Sequence, residues 1–281
     1  RENDLVIGTF GRGIYIMDDY STLRNLKKDT LHKEAVLFPV KDAKMFIEAS
    51  PLGYRGKGFQ GESYFTSPNP KPGAVFTYFI KSDPKTLKQK RRDTEKALQK
   101  KGEDFDYPTY ESIRKEQDEP ETYLLFTVTD EQGNVIRKLK TTASAGVNKV
   151  TWDFRYASFS EITVSATDDG LPWNEASTGY MVTPGVYTVS LSTFLDGKFT
   201  SLAGPQTFNC VSLNNSSIVV TDRSSINTLN KKVANSTWAM NGADAFRIEI
   251  STKLHYLKQT IIDSANFPTV TSKQIISIQK K

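Results

Sequence analysis

The sequence predicts a mainly β protein that combines an N-terminal β-hairpin, a β-sandwich with a charged helical insertion, and a C-terminal α-helical hairpin. Three observations support this fold class. Six or more short runs of β-branched and aromatic residues alternate with Gly- and Pro-rich turns before residue 223, as in a sandwich. A charged stretch interrupts these runs at residues 83–121. Beyond residue 223, apolar residues recur at the three- and four-residue spacing of a helix.

The N-terminal unit, residues 1–38, begins with two apolar runs, Leu5–Thr9 and Gly13–Met17, joined by a Gly-rich turn. Such a pair predicts a β-hairpin, and Ser21 is placed to cap a short helical turn after it. A chain rarely starts immediately before a buried hairpin. We therefore expect the sequence to be a piece of a longer chain, cut inside or just before its last β-element.

Residues 39–222 are predicted to form the sandwich. The strongest signal is a pair of apolar runs, Tyr123–Val128 and Val135–Leu139, separated by a turn that contains Gly133. Glycine tolerates the positive φ that such turns need, so this segment predicts a hairpin. Residues 50–73 are rich in Gly and Pro and predict a long loop. The other candidate strands are Val36–Val40, Lys44–Ala49, Ala74–Ile80, Val147–Phe154, Val186–Phe194 and Thr200–Val211.

The insertion at residues 83–121 carries most of the clustered charge. Its basic half, residues 85–101, is followed by acidic residues between 103 and 118 that largely cancel it. No aromatic residue interleaves with the basic run, as binding to a single nucleic-acid strand would require. We interpret the insertion as a mobile, solvated excursion with a helix over Thr86–Lys101, and nucleic acid is not an expected partner.

The C-terminal tail, residues 223–281, contains two apolar stripes at helical spacing. Asp222 or Ser224 is placed to cap the first helix. We expect two helices that pack as an antiparallel hairpin, with Asn241–Gly242 in or near their connection. The stripes consist of Ile226, Leu229 and Val233 in the first helix and Phe246, Ile250, Leu254, Leu257 and Ile261 in the second.

The composition excludes several kinds of metal site, disulfide and membrane segment. The 281 residues carry a net charge of +5 and include 1 Cys and 2 His. A single cysteine, Cys210, excludes an intramolecular disulfide and a thiolate metal cluster, and His32 and His255 alone cannot supply a histidine metal triad. No apolar run approaches the roughly 18 residues of a membrane-spanning helix. We therefore expect no cofactor, no metal and no membrane span.

The segment Asp4–Asp19, DLVIGTFGRGIYIMDD, resembles the closing blade of a family of secreted bacterial β-propeller proteins. These are the sialidase-like, sortilin-type or BNR/Asp-box proteins of the glycosyl hydrolase-like class. The family commonly has His where this chain has Phe10, so any polar role of that His is absent here. The motif residues of this segment, interpreted as structural, are Gly8, Gly11, Arg12, Gly13, Asp18 and Asp19.

A second resemblance rests on residues 129–137, 145–156 and 184–189. Together they are similar to the Ig-like module of flagellar hook-capping proteins, which also occurs at the C-termini of these propeller proteins. The resemblance implies an Ig-like sandwich directly after a propeller blade. The residues that carry it are also interpreted as structural, and they are Gly133, Trp152, Asp153, Arg155, Gly185 and Tyr187.

Physical arguments also favour structural roles for these residues. Trp152 alternates with Val150 along one strand, which places a large indole in a sandwich core. Asp153 and Arg155 face the other way, where they can pair or cap the next turn. Tyr187 follows a Pro-Gly turn and can donate a hydrogen bond back to the chain at a sheet corner.

Three motifs that suggest a functional site are weak. The Gly-rich segment 8–13 lacks the Gly-Lys-Ser/Thr of a P-loop and the βαβ setting of a dinucleotide site, and a tight turn accounts for it. Residues 166–173 nearly match an Asp-box, but Ala166 replaces the Ser and the motif stands alone, so we interpret it as coincidence. Asp18 and Asp19 are too few oxygen donors for a Ca²⁺ site. No pair of acidic residues stands out at the spacing that glycoside hydrolysis requires. We therefore predict no catalytic residue in this chain.

The expected function is that of a non-catalytic C-terminal scaffold or binding segment of a secreted or surface propeller protein. This places it outside a bacterial cell, on its surface or in the periplasm. The expected partners are its own missing propeller domain and a polysaccharide, a glycoprotein or an envelope protein. Two alternatives stay open. The chain could be scaffold in an active glycoside hydrolase whose catalytic residues lie in the missing propeller, or a partner-binding subunit of an envelope complex.

Overall fold

The computed structural model describes residues 3–11, 13–46, 70–159, 178–195, 197–213, 222–264, 273–274 and 277. The chain divides into two compact units. The first contains Arg1–Arg155 and Val182–Val219, and the second contains Tyr156–Met181 and Val220–Lys281. Of the described residues, 33% lie in strands and 36% in helices. The fold is therefore mixed α/β, and the expectation of a mainly β chain is confirmed only in part.

The described part of the first unit contains ten strands. Their positions agree with the eight candidate strands of residues 39–222 and the two of the N-terminal hairpin, with ends shifted by a few residues. The strands are β1 (Leu5–Gly8), β2 (Ile14–Met17), β3 (Ala35–Leu37), β4 (Ala43–Met45), β5 (Ala74–Ile80), β6 (Tyr123–Asp130), β7 (Val135–Thr141), β8 (Gly146–Trp152), β9 (Gly185–Leu195) and β10 (Lys198–Ser212).

These strands form three sheets. Strands β1 and β2 make an antiparallel two-stranded sheet of their own. A five-stranded sheet has the order β4-β10-β9-β6-β7, in which β4 runs parallel to β10 and the other neighbours are antiparallel. A three-stranded antiparallel sheet has the order β3-β5-β8. The predicted hairpin around Gly133 is confirmed as β6–β7.

The two larger sheets share an aromatic core. Phe76 of β5 lies 6.2 Å from Phe126 of β6 and 5.4 Å from Phe208 of β10, measured between ring centroids. Trp152 of β8 lies 6.2 Å from Phe208. All four side chains are at most 2% exposed. Because β5 and β8 belong to one sheet and β6 and β10 to the other, these contacts join the sheets face to face, as in a β-sandwich.

The described helices are α1 (Ser21–Asn25), α2 (Lys28–His32), α3 (Leu87–Lys101), α4 (Tyr110–Gln117) and α5 (Arg223–Ile262). Ser21 is the first residue of α1 and not its cap, which corrects the expectation from the sequence. Tyr20 is the N-cap residue of α1 and makes no side-chain cap hydrogen bond. The Oδ1 of Asp19, one residue earlier, accepts from the backbone N–H and the hydroxyl of Ser21 at 3.2 and 2.6 Å, and so satisfies the first backbone N–H of the helix.

The insertion folds into helices α3 and α4. The predicted helix over Thr86–Lys101 is confirmed as α3, with Thr86 as its N-cap and Gly102 as its left-handed C-cap. Helix α4 was not predicted, since its eight residues are too few for a clear periodic pattern. Neither helix contains a buried residue. The expected solvent exposure of the insertion is confirmed for these helices, and its expected mobility stays a prediction.

The part of the tail described up to Ser264 is occupied by one continuous helix of 40 residues, α5, and the helical hairpin predicted for this segment is wrong. The helix runs through Asn241–Gly242, where the sequence predicted the connection. Gly costs only about 1 kcal/mol relative to Ala in a helix interior. Ala239, Ala243 and Ala245 surround the glycine and favour the helix. An interruption of α5 at Gly242 would also remove several backbone hydrogen bonds of the helix. The low helix propensity of this one glycine is therefore not enough to end the helix.

Several predictions fall on residues that the structure does not describe. The near-match to an Asp-box at residues 166–173 and most of the predicted loop at 50–73 lie outside the described residues. Arg12 of the N-terminal turn does so as well.

Candidate functional site

The hairpin of β1 and β2 brings most of the first motif together. Four residue pairs join the strands, from Leu5 opposite Met17 to Gly8 opposite Ile14. The turn is closed at Thr9, whose backbone N–H and hydroxyl both donate to the carbonyl of Gly13, at 3.1 and 2.7 Å. Gly11 and Gly13 have φ values of +73° and +88°, a region that only glycine adopts without strain. Gly11 and Gly13 therefore have a structural role, since they allow the backbone to form this turn.

Both faces of this hairpin are open to solvent. The seven apolar side chains of its strands are 40–71% exposed, and Phe10 at the tip is fully exposed. Within the described residues, neither strand pairs with any strand other than its partner. Each strand therefore presents one unpaired backbone edge as well as exposed apolar side chains. The exposed side chains are Leu5, Val6, Ile7, Ile14, Tyr15, Ile16 and Met17.

Asp18 and Asp19 fasten the base of the hairpin to the rest of the first unit. The backbone N–H of Asp19 donates to the carboxylate of Asp4 at 3.0 Å. The Nζ of Lys149, on β8, donates to the carbonyl oxygen of Asp18 at 3.0 Å. The Asp19 carboxylate binds Ser21, as described above. These hydrogen bonds give the Asp19 carboxylate a structural role, whereas the bond at Asp18 is made by its backbone carbonyl.

The second motif surrounds Trp152, which is completely buried. Its indole N–H donates to the carbonyl of Arg155 at 3.0 Å. Asp153 caps the same turn, because its Oδ1 accepts from the backbone N–H of Arg155 at 3.2 Å. The ring centroid of Tyr187 lies 5.4 Å from that of Trp152. The structure therefore brings four of the predicted motif residues together, with Trp152 and Tyr187 in the core and the half-buried Asp153 and Arg155 in the turn beside it.

Tyr187 makes the hydrogen bond that the sequence predicted. Its hydroxyl donates to the carbonyl of Thr183 at 2.6 Å, four residues upstream. Gly185 opens strand β9 between these two residues. Gly133 lies apart, in the β6–β7 turn, with a φ of +80°. The Asp130 carboxylate accepts from the backbone N–H of Asn134 at 2.8 Å in that turn.

The insertion contains a pocket of about 430 Å³ that does not follow from the sequence pattern. It lies where α3 and α4 meet the segment that connects them. Its walls include the charged residues Arg91 and Glu116 together with Phe105 and Tyr107. The available signal was the pair of aromatic residues in an otherwise charged segment. That signal has no helical or strand period, so it was read only as part of a charged stretch.

Cys210 has no accessible thiol. It is 3% exposed in strand β10, and burial raises the pKa of the thiol to about 12, with a smaller effect from Asp42. The reactive thiolate is therefore scarce at neutral pH. Within the described residues, no three His, Cys, Asp or Glu side chains are grouped so that they could hold a metal ion.

Comparison with known proteins gives no match, since no protein-family model, curated protein or solved structure is similar to this chain. In the part of the chain that the structure describes, no helix combines the length and apolar character that a bilayer crossing requires. The exposed apolar surface of the β1–β2 hairpin and the pocket in the insertion are thus the two candidate functional features of the described residues.

Proposed function

We propose that this chain is a non-catalytic scaffold and binding segment of a larger, secreted or surface-exposed bacterial β-propeller protein of the glycosyl hydrolase-like class. In this proposal the β1–β2 hairpin is the closing part of a propeller blade. The observation that carries the proposal is the exposure of every residue of both strands. A blade has about four strands, so this hairpin would supply two of them.

Physical chemistry favours a missing neighbour for the hairpin. An isolated two-stranded hairpin is marginally stable in water, and an exposed apolar strand edge invites pairing with another strand. Val6, Ile14 and Ile16 are each more than 60% exposed. Added strands on the unpaired edges, and further blades against the faces, would remove this apolar surface from water.

An Ig-like identity for the sandwich is part of the proposal. The two sheets packed around Trp152 fit it. The hydrogen bond from the Tyr187 hydroxyl to a carbonyl four residues upstream fits it as well. A tyrosine that bonds back to the chain at a strand corner, and a buried Trp between the sheets, are hallmarks of immunoglobulin-type sandwiches.

The acidic groups with shifted pKa values suit structural roles. A hydrogen bond from Arg91 lowers the pKa of Glu116. Hydrogen bonds from Ser225 and Ser224 lower the pKa of Asp222 to about 2. A general acid at neutral pH needs the opposite shift. These two carboxylates therefore support scaffolding rather than proton transfer.

The coding sequence upstream of Arg1 tests this proposal. We expect it to encode several Ser-x-Asp-x-Gly-x-x-Trp repeats at regular spacing, one at each of several blades. Upstream sequence without such repeats would contradict the proposal. Assays with p-nitrophenyl glycosides then separate the alternatives, since hydrolysis by the full-length protein but not by this chain would favour a scaffold role in an active glycosidase.

A second candidate function is partner binding through helix α5. The apolar residues at the start of this helix are exposed, and Ile226, Leu229 and Val233 are 46%, 59% and 55% accessible. Such a stripe fits a role in a bacterial envelope complex. Replacement of Leu229 and Val233 by Ser should then leave the Tm unchanged and abolish a cross-link to an envelope protein that wild type forms. A cross-link that survives would exclude this surface.

A further inference from the structure

The pocket in the insertion is lined by charged residues, which we call its polar wall, and by aromatic residues, which we call its aromatic wall. On the polar wall, the Nε and Nη2 of Arg91 donate to the two carboxylate oxygens of Glu116 at 2.6 and 3.0 Å. The Nη1 of Arg91 donates to Glu95 at 2.6 Å. These three side chains are 9–28% exposed. The triad holds α3 and α4 together and gives the pocket a fixed set of polar atoms.

The charges of this wall balance. The hydrogen bonds with Glu116 and Glu95 raise the pKa of Arg91, and the hydrogen bond from Arg91 lowers the pKa of Glu116. Both groups are therefore charged at neutral pH. Lys88 also lines the pocket, so two positive groups face two carboxylates. An anion would meet Glu95 and Glu116, and a cation would meet Lys88 and Arg91. Either ion would therefore be repelled by groups of its own charge, and a neutral ligand avoids this repulsion.

The aromatic wall is exposed. Phe105 and Tyr107 line the pocket and are 48% and 88% accessible. Pro108 and Ile113 extend the apolar surface beside them. The pocket volume of about 430 Å³ falls within the roughly 300–1,000 Å³ of small-molecule sites. The wall therefore offers flat apolar surface to a ligand that also needs hydrogen bonds.

We propose that this pocket binds a neutral sugar ring. A pyranose has an apolar C–H face that can lie on Tyr107 or Phe105, and hydroxyl groups that both donate and accept hydrogen bonds. A carboxylate has about four acceptor positions, of which Arg91 occupies two on Glu116. Glu116 can therefore still accept from a sugar hydroxyl. Lys88 Nζ can donate to another. The proposal deepens the binding role proposed above by giving it a site and a ligand class.

Saturation-transfer NMR on the whole 281-residue chain tests the proposal. The probes are the methyl glycosides of glucose, galactose, mannose and N-acetylglucosamine, each at millimolar concentration. N-Acetylneuraminic acid serves as the anionic comparison, and the neutral peptide acetyl-Gly-Phe-Gly-amide as the peptide comparison. We expect saturable binding of at least one methyl glycoside, and weaker binding of the acid and the peptide.

A pair of tyrosine variants locates the binding. Tyr107 lines the pocket, whereas Tyr110, which is 79% exposed at the start of α4, is not among the lining residues. Tyr107→Ala should weaken glycoside binding about tenfold, since it removes an aromatic stacking surface. Tyr110→Ala should change it less than about twofold. Because both side chains are exposed, neither variant should alter the Tm.

Three results would overturn the proposal. These are no saturable binding of any glycoside, tighter binding of the acid or the peptide, and equal effects of Tyr107→Ala and Tyr110→Ala. None of them bears on the hairpin, whose role is tested by the upstream sequence. Failure of sugar binding and failure of the propeller proposal are therefore distinguishable.

Discussion

Trp152 shows how one side chain can be fully buried and still satisfy its polar atom. Its ring lies 5.8 Å from Phe154 and 5.4 Å from Tyr187, measured between centroids. Its N–H is bound by the carbonyl of Arg155. No ring face is left for a ligand, because the side chain is 0% exposed. The residue therefore anchors the core and is not a sugar-binding platform.

Replacing this anchor should be costly. We expect Trp152→Ala to destabilise the chain by about 3–5 kcal/mol, the range for loss of a large buried aromatic. The matched control is Trp238→Ala, since Trp238 is 61% exposed on α5, and its effect should stay within about 0.5 kcal/mol. Urea unfolding of both variants measures the difference. Similar unfolding midpoints for the two variants would contradict the assignment of Trp152 to the core.

Asp222 should make the start of helix α5 sensitive to acid. Its carboxylate accepts hydrogen bonds from Ser224 and Ser225, which lower its pKa to about 2. The unfolded value is about 3.9. Because the folded pKa is the lower one, the stabilisation is complete above the unfolded value. It is lost as the pH falls from about 4 through about 2.

Far-UV circular dichroism between pH 5 and pH 2 checks this expectation. Wild type should lose helical signal in that window. Asp222→Asn keeps an uncharged capping group, so its acid transition should be shallower. Identical acid transitions in wild type and Asp222→Asn would show that this carboxylate has no part in the pH dependence.

At the scale of residues, local interactions could be predicted and distant ones could not. Gly133 and Tyr187 serve contacts within about four residues of themselves, so their roles follow from short sequence patterns. Arg91 and Glu116 are 25 residues apart. Nothing in their spacing indicates that they meet, because that depends on how α3 and α4 fold against each other.

Among the elements, the insertion is held together by its own contacts. The Arg91 triad joins its two helices, and the Glu119 carboxylate accepts from the backbone N–H of Leu87 at 2.8 Å. Contacts from the insertion to the sheets are peripheral, such as the exposed ion pair of Glu121 with Lys140 at 2.6 Å. The insertion is therefore a separable element.

Removing it should leave the sandwich folded. We expect a variant that joins Ser82 to Thr122 through a short Gly/Ser linker to lose little stability, because neither insertion helix contains a buried residue and a shorter connection costs less loop-closure entropy. A second variant retains Asp83, whose carboxylate accepts from the backbone N–H of Ala145, and should be the more stable of the two. Thermal unfolding measures both. Failure of both variants to fold would mean that the insertion covers the core.

Helix α5 shows the limit of prediction at this scale. Two apolar stripes and an Asn-Gly pair between them suggested a hairpin, whereas the helix continues for 40 residues, about 60 Å. A turn signal indicates only that a turn is possible. Whether the chain turns there depends on how stable a continuous helix is at the same position. The alanine residues on both sides of Gly242 favour the helix, so the continuous helix is the more stable of the two. Strand positions were predicted well because alternating runs and turns define them locally.

At the scale of the whole molecule, the first unit combines a well-packed sandwich with an exposed hairpin. The side chains of Phe76, Phe126 and Trp152 are completely buried, whereas every residue of β1 and β2 is exposed. Under the proposal made above, the hairpin gains its packing partner from another part of a larger protein, and its exposure is the observation that motivates this proposal. The proposed function depends on this difference.

Amide hydrogen exchange of the hairpin tests whether β1 and β2 lack their packing partner in this chain. It should be measured by mass spectrometry for the 281-residue chain and for a longer polypeptide that includes the upstream segment. In the chain alone, we expect peptides covering Leu5–Met17 to exchange much faster than those of β6 and β9. In the longer polypeptide they should become about as protected as the sandwich strands. Protection already present in the chain alone, or unchanged exchange in the longer polypeptide, would contradict the account.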